Sequence, residues 1–214
     1  MVKISSILEL EGHIGGLHAV IFDLDDTLYS EREYVRSGFS AIAKILPEIQ
    51  NAEEKLYSFF ESGKQAIDEL LISENIYSAE LQEKCLCTYR THTPNIHLYD
   101  GVRELLLRLR KEGYMLGIIT DGRPDGQRAK ISALGLDTLV HEIIITDELG
   151  GIEARKPSEL AFTKMCERLG KSCGKAIAYT EACYVGDNIS KDFIAPKSLG
   201  MRAIWFENPV GIYK

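Results

Sequence analysis

The sequence predicts an α/β fold: a doubly wound parallel sheet, a Rossmann-like core, with a small α-helical domain inserted into it. Two observations support this fold class. Short apolar runs alternate with amphipathic helical segments along most of the 214 residues, and the alternation is interrupted once, early in the chain. Because helices cover both faces of a buried parallel sheet, its strands are expected as continuous apolar runs.

Five apolar runs are the predicted strands. They are residues 19–22, 114–119, 142–145, 182–185 and 203–206. Residues 1–17 precede the first of these runs and contain no convincing element. We expect this N-terminal extension to be either a packing arm or a disordered tail.

Helices are predicted between and after these strands. Asp100 is the expected N-cap of a helix that ends at Gly113. Pro196 is expected to kink or end the last predicted helix early. The other predicted helices, each closed by a glycine, are residues 127–134, 157–169 and 190–199.

Residues 29–96 interrupt the alternation, since they include no convincing strand. Helical spacing there predicts three or four helices, near residues 34–46, 52–72 and 79–92. The predicted domains are therefore an α/β core, residues 1–28 plus 97–214, and a helical insertion, residues 29–96.

Two aspartates follow the first predicted strand. Asp23 and Asp25 are two residues apart, so extended backbone places both side chains on one side. Open α/β sheets bind ligands at this carboxyl end of their strands. Neighbouring carboxylates repel each other unless a cation or a shared proton compensates. The pair predicts such a site, or else a simple acidic turn.

The second predicted strand leads into Thr120-Asp121-Gly122. A hydroxyl and free backbone N–H groups at a strand-to-loop transition suit an anionic oxygen, although Asp-Gly is also a common turn signal. Lys156 stands just before a predicted helix, where the helix dipole disfavours a cation. Lys156 is therefore either a functional cation or a solvated surface lysine.

The fourth predicted strand ends in a further pair of acidic residues, Asp187 and Asp192. Together with Asp23 and Asp25 they form an oxygen-rich set at the ends of two strands. Mg²⁺ suits such a set best, because it binds one or two carboxylates together with water and phosphate oxygens.

In order and spacing these elements resemble the four motifs of the haloacid dehalogenase superfamily. The resemblance extends from about Ala19 to the end of the chain. The matching motifs are DxDxT at residues 23–27, Thr120, Lys156 and GDxxxxD at residues 186–192.

The resemblance implies catalytic roles for four residues, which are Asp23, Asp25, Thr120 and Lys156. Asp23 would be the nucleophile that forms an aspartyl-phosphate. Asp25 would be the general acid for the leaving oxygen and then the general base for water. Lys156 would neutralise charge on the phosphate and the nucleophile.

The resemblance also implies the binding residues. Thr120, with backbone N–H groups near Asp121 and Gly122, would hold the phosphoryl group. Arg123, close to this loop, is a candidate substrate contact. The Mg²⁺ ligands would be Asp23, the backbone carbonyl of Asp25, and Asp187, and Asp192 would act through water or orient its neighbours.

The implied activity is that of a Mg²⁺-dependent phosphatase, because the superfamily's dehalogenases lack the aspartate found here as Asp25. The insertion at residues 29–96 resembles the family's cap, which closes over the site and favours small substrates. The expected substrate is a small phosphorylated metabolite, such as a sugar phosphate or a nucleotide. A phosphomutase and a non-hydrolytic phospho-acceptor or binding module, similar to receiver domains, are the alternatives.

Composition limits the expected partners and location. The net charge of −7 offers no general footprint for nucleic acid. No apolar run approaches the roughly 20 residues that span a bilayer, so no membrane association is expected. The five cysteines and the absence of an apparent signal peptide favour a cytoplasmic protein with reduced thiols, either a monomer or a homodimer.

Overall fold

The computed structural model describes residues 1–212, and the strands within them form one wholly parallel six-stranded sheet. The strands follow the order β1-β6-β5-β2-β3-β4 across the sheet. The predicted doubly wound α/β fold is confirmed. The strands are β1 (Val2–Ile4), β2 (Ala19–Phe22), β3 (Met115–Thr120), β4 (Glu142–Ile145), β5 (Ala182–Gly186) and β6 (Arg202–Phe206).

The strand order creates a switch point beside β2. From β2 the chain proceeds outward through β3 and β4, then crosses to the other side of β2 to form β5 and β6. In register, Phe22 pairs with Ile118 of β3 and with Val185 of β5. The carboxyl ends of these three strands therefore meet at one edge, which is where open α/β sheets bind ligands.

The N-terminal extension is part of the sheet, so the expectation of a disordered tail is wrong. Val2 and Ile4 of β1 pair with Ile204 and Phe206 of β6. A 3₁₀-helix follows at Ile7–His13. Leu10 of this helix and Ile4 of β1 are both buried in the core. Three residues with one buried side chain are too short to show a recognisable strand pattern.

Helices cover the sheet and also build the inserted segment. Among residues 1–212 they are α1 (Glu31–Ile45), α2 (Ala52–Glu61), α3 (Ala66–Ser73), α4 (Ala79–Thr91), α5 (Val102–Lys111), α6 (Pro124–Ala133), α7 (Asp147–Gly150), α8 (Leu160–Cys173) and α9 (Ile194–Leu199).

Two predicted helix starts are corrected. Gly101, in a left-handed conformation (φ 79°), is the N-cap residue of α5, so Asp100 does not cap this helix. Helix α6 begins three residues before the predicted start, with Pro124 in its first turn, where a missing N–H costs nothing.

Two further helices differ from their predicted bounds. Helix α8 begins at Leu160, not at Pro157, and continues past Gly170 to a left-handed cap at Gly174. Helix α9 begins only at Ile194. Pro196 therefore lies in the first turn of α9, where proline is tolerated, and does not kink it.

The chain divides into two compact units, residues 1–31 with 97–214 and residues 32–96. The second unit is helical, and in it the ring of Phe39 contacts the rings of Phe60 and Tyr89. Residues 31–96 contain four helices, within the three or four predicted, and the predicted segment 52–72 is two of them, because Gly63 adopts a left-handed conformation (φ 70°) between α2 and α3.

The structure also describes the state of the cysteines and the character of the helices. All five cysteines are free thiols. Within residues 1–212, no helix combines the length and the apolar character needed to cross a bilayer.

Candidate active site

The four motif segments converge on the carboxyl edge of the sheet. Asp23 directly follows β2, Thr120 is the last residue of β3, and Asp187 directly follows β5. The backbone N–H of Asp23 donates to the carbonyl of Val185 at 2.8 Å, which extends the β2–β5 pairing to the aspartate itself. Sheet register therefore sets the spacing of these side chains.

Lys156 is the buried cation of the site. Its Nζ lies 2.6 Å from Asp23 Oδ1, 2.8 Å from Asp192 Oδ1 and 2.9 Å from the hydroxyl oxygen of Tyr184. Its side chain is 0% exposed, so the alternative of a solvated surface lysine is wrong. Sequence reasoning missed Tyr184, which appears in the sequence only as one of several apolar strand residues.

Burial raises the pKa of Asp23 to about 7, although the charge of Lys156 opposes this shift. Asp192 adds to the increase as a neighbouring negative charge. A carboxylate in this setting depends on nearby cations for its ionised form.

Three carboxylates form a cluster that fits a divalent cation. One oxygen from each of Asp23, Asp187 and Asp192 lies within 4.8 Å of the others. Asp187 Oδ2 is buried and has no hydrogen-bond partner among residues 1–212. Burial and the charges of the neighbouring aspartates raise the pKa of Asp187 to about 8. Such an orphaned oxygen is the ligand that Mg²⁺ would satisfy.

Asp192 has one oxygen in a hydrogen bond and one, Oδ1, that is buried and lacks a hydrogen-bond partner among residues 1–212. Its Oδ1 faces Lys156, and its Oδ2 accepts the backbone N–H of Asn188 at 2.9 Å. Gly186 leaves room for this carboxylate, because a Cβ there would stand 2.5 Å from Asp192 Oδ2. Asp192 thus lies against Lys156 and is also one of the three carboxylates whose oxygens could hold a metal ion.

Asp25 is surrounded by donors that sequence reasoning missed. Lys130 Nζ lies 2.7 Å from Oδ1, the Tyr29 hydroxyl donates to the same oxygen, and Gln127 Nε2 donates to Oδ2 at 2.9 Å. Burial would raise the pKa of Asp25, but the charge of Lys130 and these hydrogen bonds hold it below its usual value. The available signal was the helical spacing of Gln127 and Lys130 directly after the second motif.

Residues 120–123, predicted to bind phosphate or substrate, differ in burial and in contacts. The Thr120 hydroxyl oxygen accepts a hydrogen bond from Gln127 Nε2. Gly122 has a φ of 133°, which L side chains rarely adopt. The side chain of Arg123 is exposed at the N-cap position of α6 and does not join the buried cluster.

The side chain of Asp121 ties loops together at the edge of the site. Its Oδ1 accepts from the Thr146 hydroxyl at 2.9 Å and from the backbone N–H of Lys156 at 3.1 Å. Its Oδ2 lies 3.3 Å from Lys191 Nζ, a second lysine that sequence reasoning missed. Asp121 thus helps to place the loop that carries Lys156.

Similar proteins are known. A glyceraldehyde 3-phosphate phosphatase from Pyrococcus furiosus is 39% identical over 107 residues, which cover 50% of this chain and 41% of that protein. The first match thus spans less than half of its relative's length. A glyceraldehyde 3-phosphate phosphatase from Methanopyrus kandleri is 29% identical over 199 residues, covering 86% of this chain and 82% of that protein.

A solved structure has the same fold. The HAD-hydrolase YfnB from Bacillus subtilis, solved bound to magnesium, matches with a TM-score of 0.62 at 20% identity. The match covers 88% of this chain and 86% of that chain.

A family model describes most of the sequence. Residues 20–206 match the model of the haloacid dehalogenase-like hydrolases, a span that includes all four motifs. The chain therefore belongs to the haloacid dehalogenase-like hydrolase family, which confirms the resemblance of its motifs.

Proposed function

We propose that this protein is a Mg²⁺-dependent phosphatase that hydrolyses a small phosphorylated metabolite through an aspartyl-phosphate on Asp23. The observation that carries the proposal is the buried group around Lys156. Its Nζ holds Asp23 Oδ1 at 2.6 Å, next to the unpartnered Oδ2 of Asp187, and Asp25 lies two residues along the chain.

In the first step, a carboxylate oxygen of Asp23 attacks phosphorus and the bond from phosphorus to the leaving oxygen breaks. Because Lys130 favours the ionised form of Asp25, this carboxyl first takes up a proton from solvent and then gives it to the leaving oxygen, which departs as an alcohol. In the second step, water attacks phosphorus and loses a proton to Asp25, while the Asp23–phosphate bond breaks. Inorganic phosphate is released and the Asp23 carboxylate is restored.

Charge neutralisation supports both steps. Lys156 is placed to neutralise charge as the phosphoryl group approaches Asp23. Mg²⁺, held by Asp23, the Asp25 carbonyl and Asp187, would screen phosphate charge from the carboxylates. Asp192 would orient Lys156 instead of binding the metal directly.

The loop after β3 would hold the transferring group. The Thr120 hydroxyl and the backbone N–H groups of Asp121 and Gly122 are the proposed donors. Arg123, which is exposed, would contact the remainder of the substrate.

The substrate is proposed to be a phosphate ester of a small metabolite. The names of the Pyrococcus and Methanopyrus relatives support a phosphorylated three-carbon compound as the first candidate. The helical unit, which lies in the chain between the first two motifs, is proposed as a substrate-selecting cap.

Phosphate release from a panel of triose phosphates, sugar phosphates and nucleotides, with and without Mg²⁺, tests the proposal. We expect Mg²⁺-dependent release by the wild type and none by folded Asp23→Asn. Transfer of the phosphoryl group between positions of one substrate would instead indicate a mutase. A long-lived phosphoenzyme without turnover would indicate a phospho-acceptor module.

A further inference from the structure

The Asp25 carboxylate is held at both of its oxygens by side chains outside the four motifs. Lys130 Nζ lies 2.7 Å from Oδ1, and the Tyr29 hydroxyl donates to the same oxygen. Gln127 Nε2 donates to Oδ2 at 2.9 Å. The Lys130 side chain is only 6% exposed, so its charge faces the carboxylate with little screening by solvent.

Helix α6 supplies two of these donors from one face. Gln127 and Lys130 are three residues apart and both are buried. Gln127 Nε2 also donates to the Thr120 hydroxyl oxygen, and thus joins Asp25 to the residue at the end of β3. Because α6 begins four residues after Thr120, this face is fixed relative to the proposed phosphate loop.

The two carboxylate oxygens of Asp25 differ in how many of their hydrogen-bonding positions are occupied. A carboxylate offers about two acceptor positions on each oxygen. In the part of the chain that the structure describes, two donors occupy Oδ1 and one occupies Oδ2. The side chain of Asp25 is 20% exposed, so Oδ2 keeps one open position, at which it can carry a proton toward the leaving oxygen or accept one from water.

We propose that Lys130 and Gln127 are positioning residues that orient Asp25 so that Oδ2 exchanges the proton with the leaving oxygen. This inference rests on the proposed phosphatase function. As the bond from phosphorus to the leaving oxygen breaks, the proton on Oδ2 passes to that oxygen. Lys130 then faces the carboxylate charge that remains on Asp25 until water returns a proton to Oδ2 in the second step.

The test compares two substrates of nearly the same shape, phenyl phosphate and 4-nitrophenyl phosphate, in the presence of Mg²⁺. The phenolate of the first is the poorer leaving group and depends more on a proton from Asp25. Loss of the Lys130 charge favours the protonated form of Asp25, but a carboxyl that is no longer held in place transfers its proton less efficiently. In Lys130→Met we therefore expect kcat/KM for phenyl phosphate to fall by about tenfold more than kcat/KM for 4-nitrophenyl phosphate. Lys130→Arg should restore most of the wild-type ratio of the two constants.

Arg128→Met is the matched control, because Arg128 lies on the same helix with an exposed side chain paired to Glu148. We expect it to leave both constants unchanged. If Lys130→Met does not fold, as judged by circular dichroism, Gln127→Met takes its place in the test. The same larger loss of kcat/KM for phenyl phosphate than for 4-nitrophenyl phosphate is then expected.

An equal loss for the two substrates would mean a merely structural role and would overturn the inference while leaving the phosphatase assignment intact. A wild-type protein that hydrolyses neither ester nor any compound of the metabolite panel would overturn the proposed function, and the inference with it.

Discussion

Lys156 Nζ lies 2.6 Å from Asp23 Oδ1, and the two side chains are 0% and 6% exposed. Asp192 faces the same ammonium at 2.8 Å. Burial alone would lower the pKa of Lys156, but the two carboxylates hold it well above its usual value. The ionised forms of Asp23 and Lys156 thus stabilise each other.

Removal of this ammonium is expected to destabilise the protein, because two buried carboxylates lose the cation between them. Lys156→Met should lower the free energy of unfolding by about 3–5 kcal/mol in urea titrations at neutral pH without metal. Lys164→Met, which removes an exposed ion pair with Glu167, is the control and should leave it unchanged. Equal effects of the two substitutions would contradict the buried arrangement.

The carboxyl of Asp187 should make stability depend on pH. Its pKa in the folded protein is raised to about 8 by burial and by neighbouring aspartates. Because this pKa exceeds the unfolded value, the protonated carboxyl favours folding at low pH, and the contribution is lost as pH rises through about 8. Without metal, raising the pH from about 5 to about 8.5 should lower the free energy of unfolding of wild type by a few kcal/mol relative to Asp187→Asn. Parallel pH profiles of the two proteins would rule out this shift.

Magnesium is expected to reverse this loss. Since Asp187 must release its proton to bind the metal, Mg²⁺ should raise the melting temperature more at about pH 8.5 than at about pH 6. Asp187→Asn should lose most of the increase. Thermal melts at several Mg²⁺ concentrations measure the increase in melting temperature, and the same melts with Ca²⁺ provide a comparison ion. No increase in wild type at millimolar Mg²⁺ would count against the site.

Asp121 is expected to act mainly through the loops it joins. Asp121→Ala leaves the Thr146 hydroxyl and the Lys156 N–H without an acceptor and should cost about 1–3 kcal/mol. Asp100→Ala is the control, because exposed Asp100 precedes the observed cap Gly101 of α5. Chemical denaturation measures the free energy of unfolding of both variants. A larger loss of stability in Asp100→Ala than in Asp121→Ala would instead support the helix cap predicted from the sequence.

The N-terminal strand should contribute to stability. Ile4 is 1% exposed, and Ile4→Ala should lower the free energy of unfolding by about 2–5 kcal/mol. Ile152→Ala, at a side chain that is 72% exposed, should have little effect. If Ile4→Ala were as stable as wild type, β1 would not be a firm part of the sheet.

Sequence patterns predicted the parts of the fold that have strong local signals. Strands such as β2 and β5 are continuous apolar runs, and the motif aspartates Asp23 and Asp187 directly follow them. Strand β1 could not be found, because three residues at a sheet edge show no period and its partner β6 lies about 200 residues away. The break between α2 and α3 had only Gly63 as a signal within an otherwise helical pattern.

The motif residues of the site were predicted, whereas the side chains that hold them were not. Tyr184 was expected as a strand residue, since only the structure shows its hydroxyl on Lys156. Gln127 and Lys130 look like ordinary residues of an amphipathic helix, and their contact with Asp25 depends on how α6 packs on the sheet. Tertiary packing, which local sequence does not encode, decides such contacts.

The most direct test of the proposed mechanism is to locate the phosphoryl group during turnover. Wild-type protein is mixed with its best labelled phosphate ester and Mg²⁺, quenched with acid within one turnover, and digested for peptide mapping. The mechanism predicts label on the peptide that contains Asp23, and none on Asp23→Asn treated in the same way. Label on another residue, or turnover with no label on the protein, would contradict it.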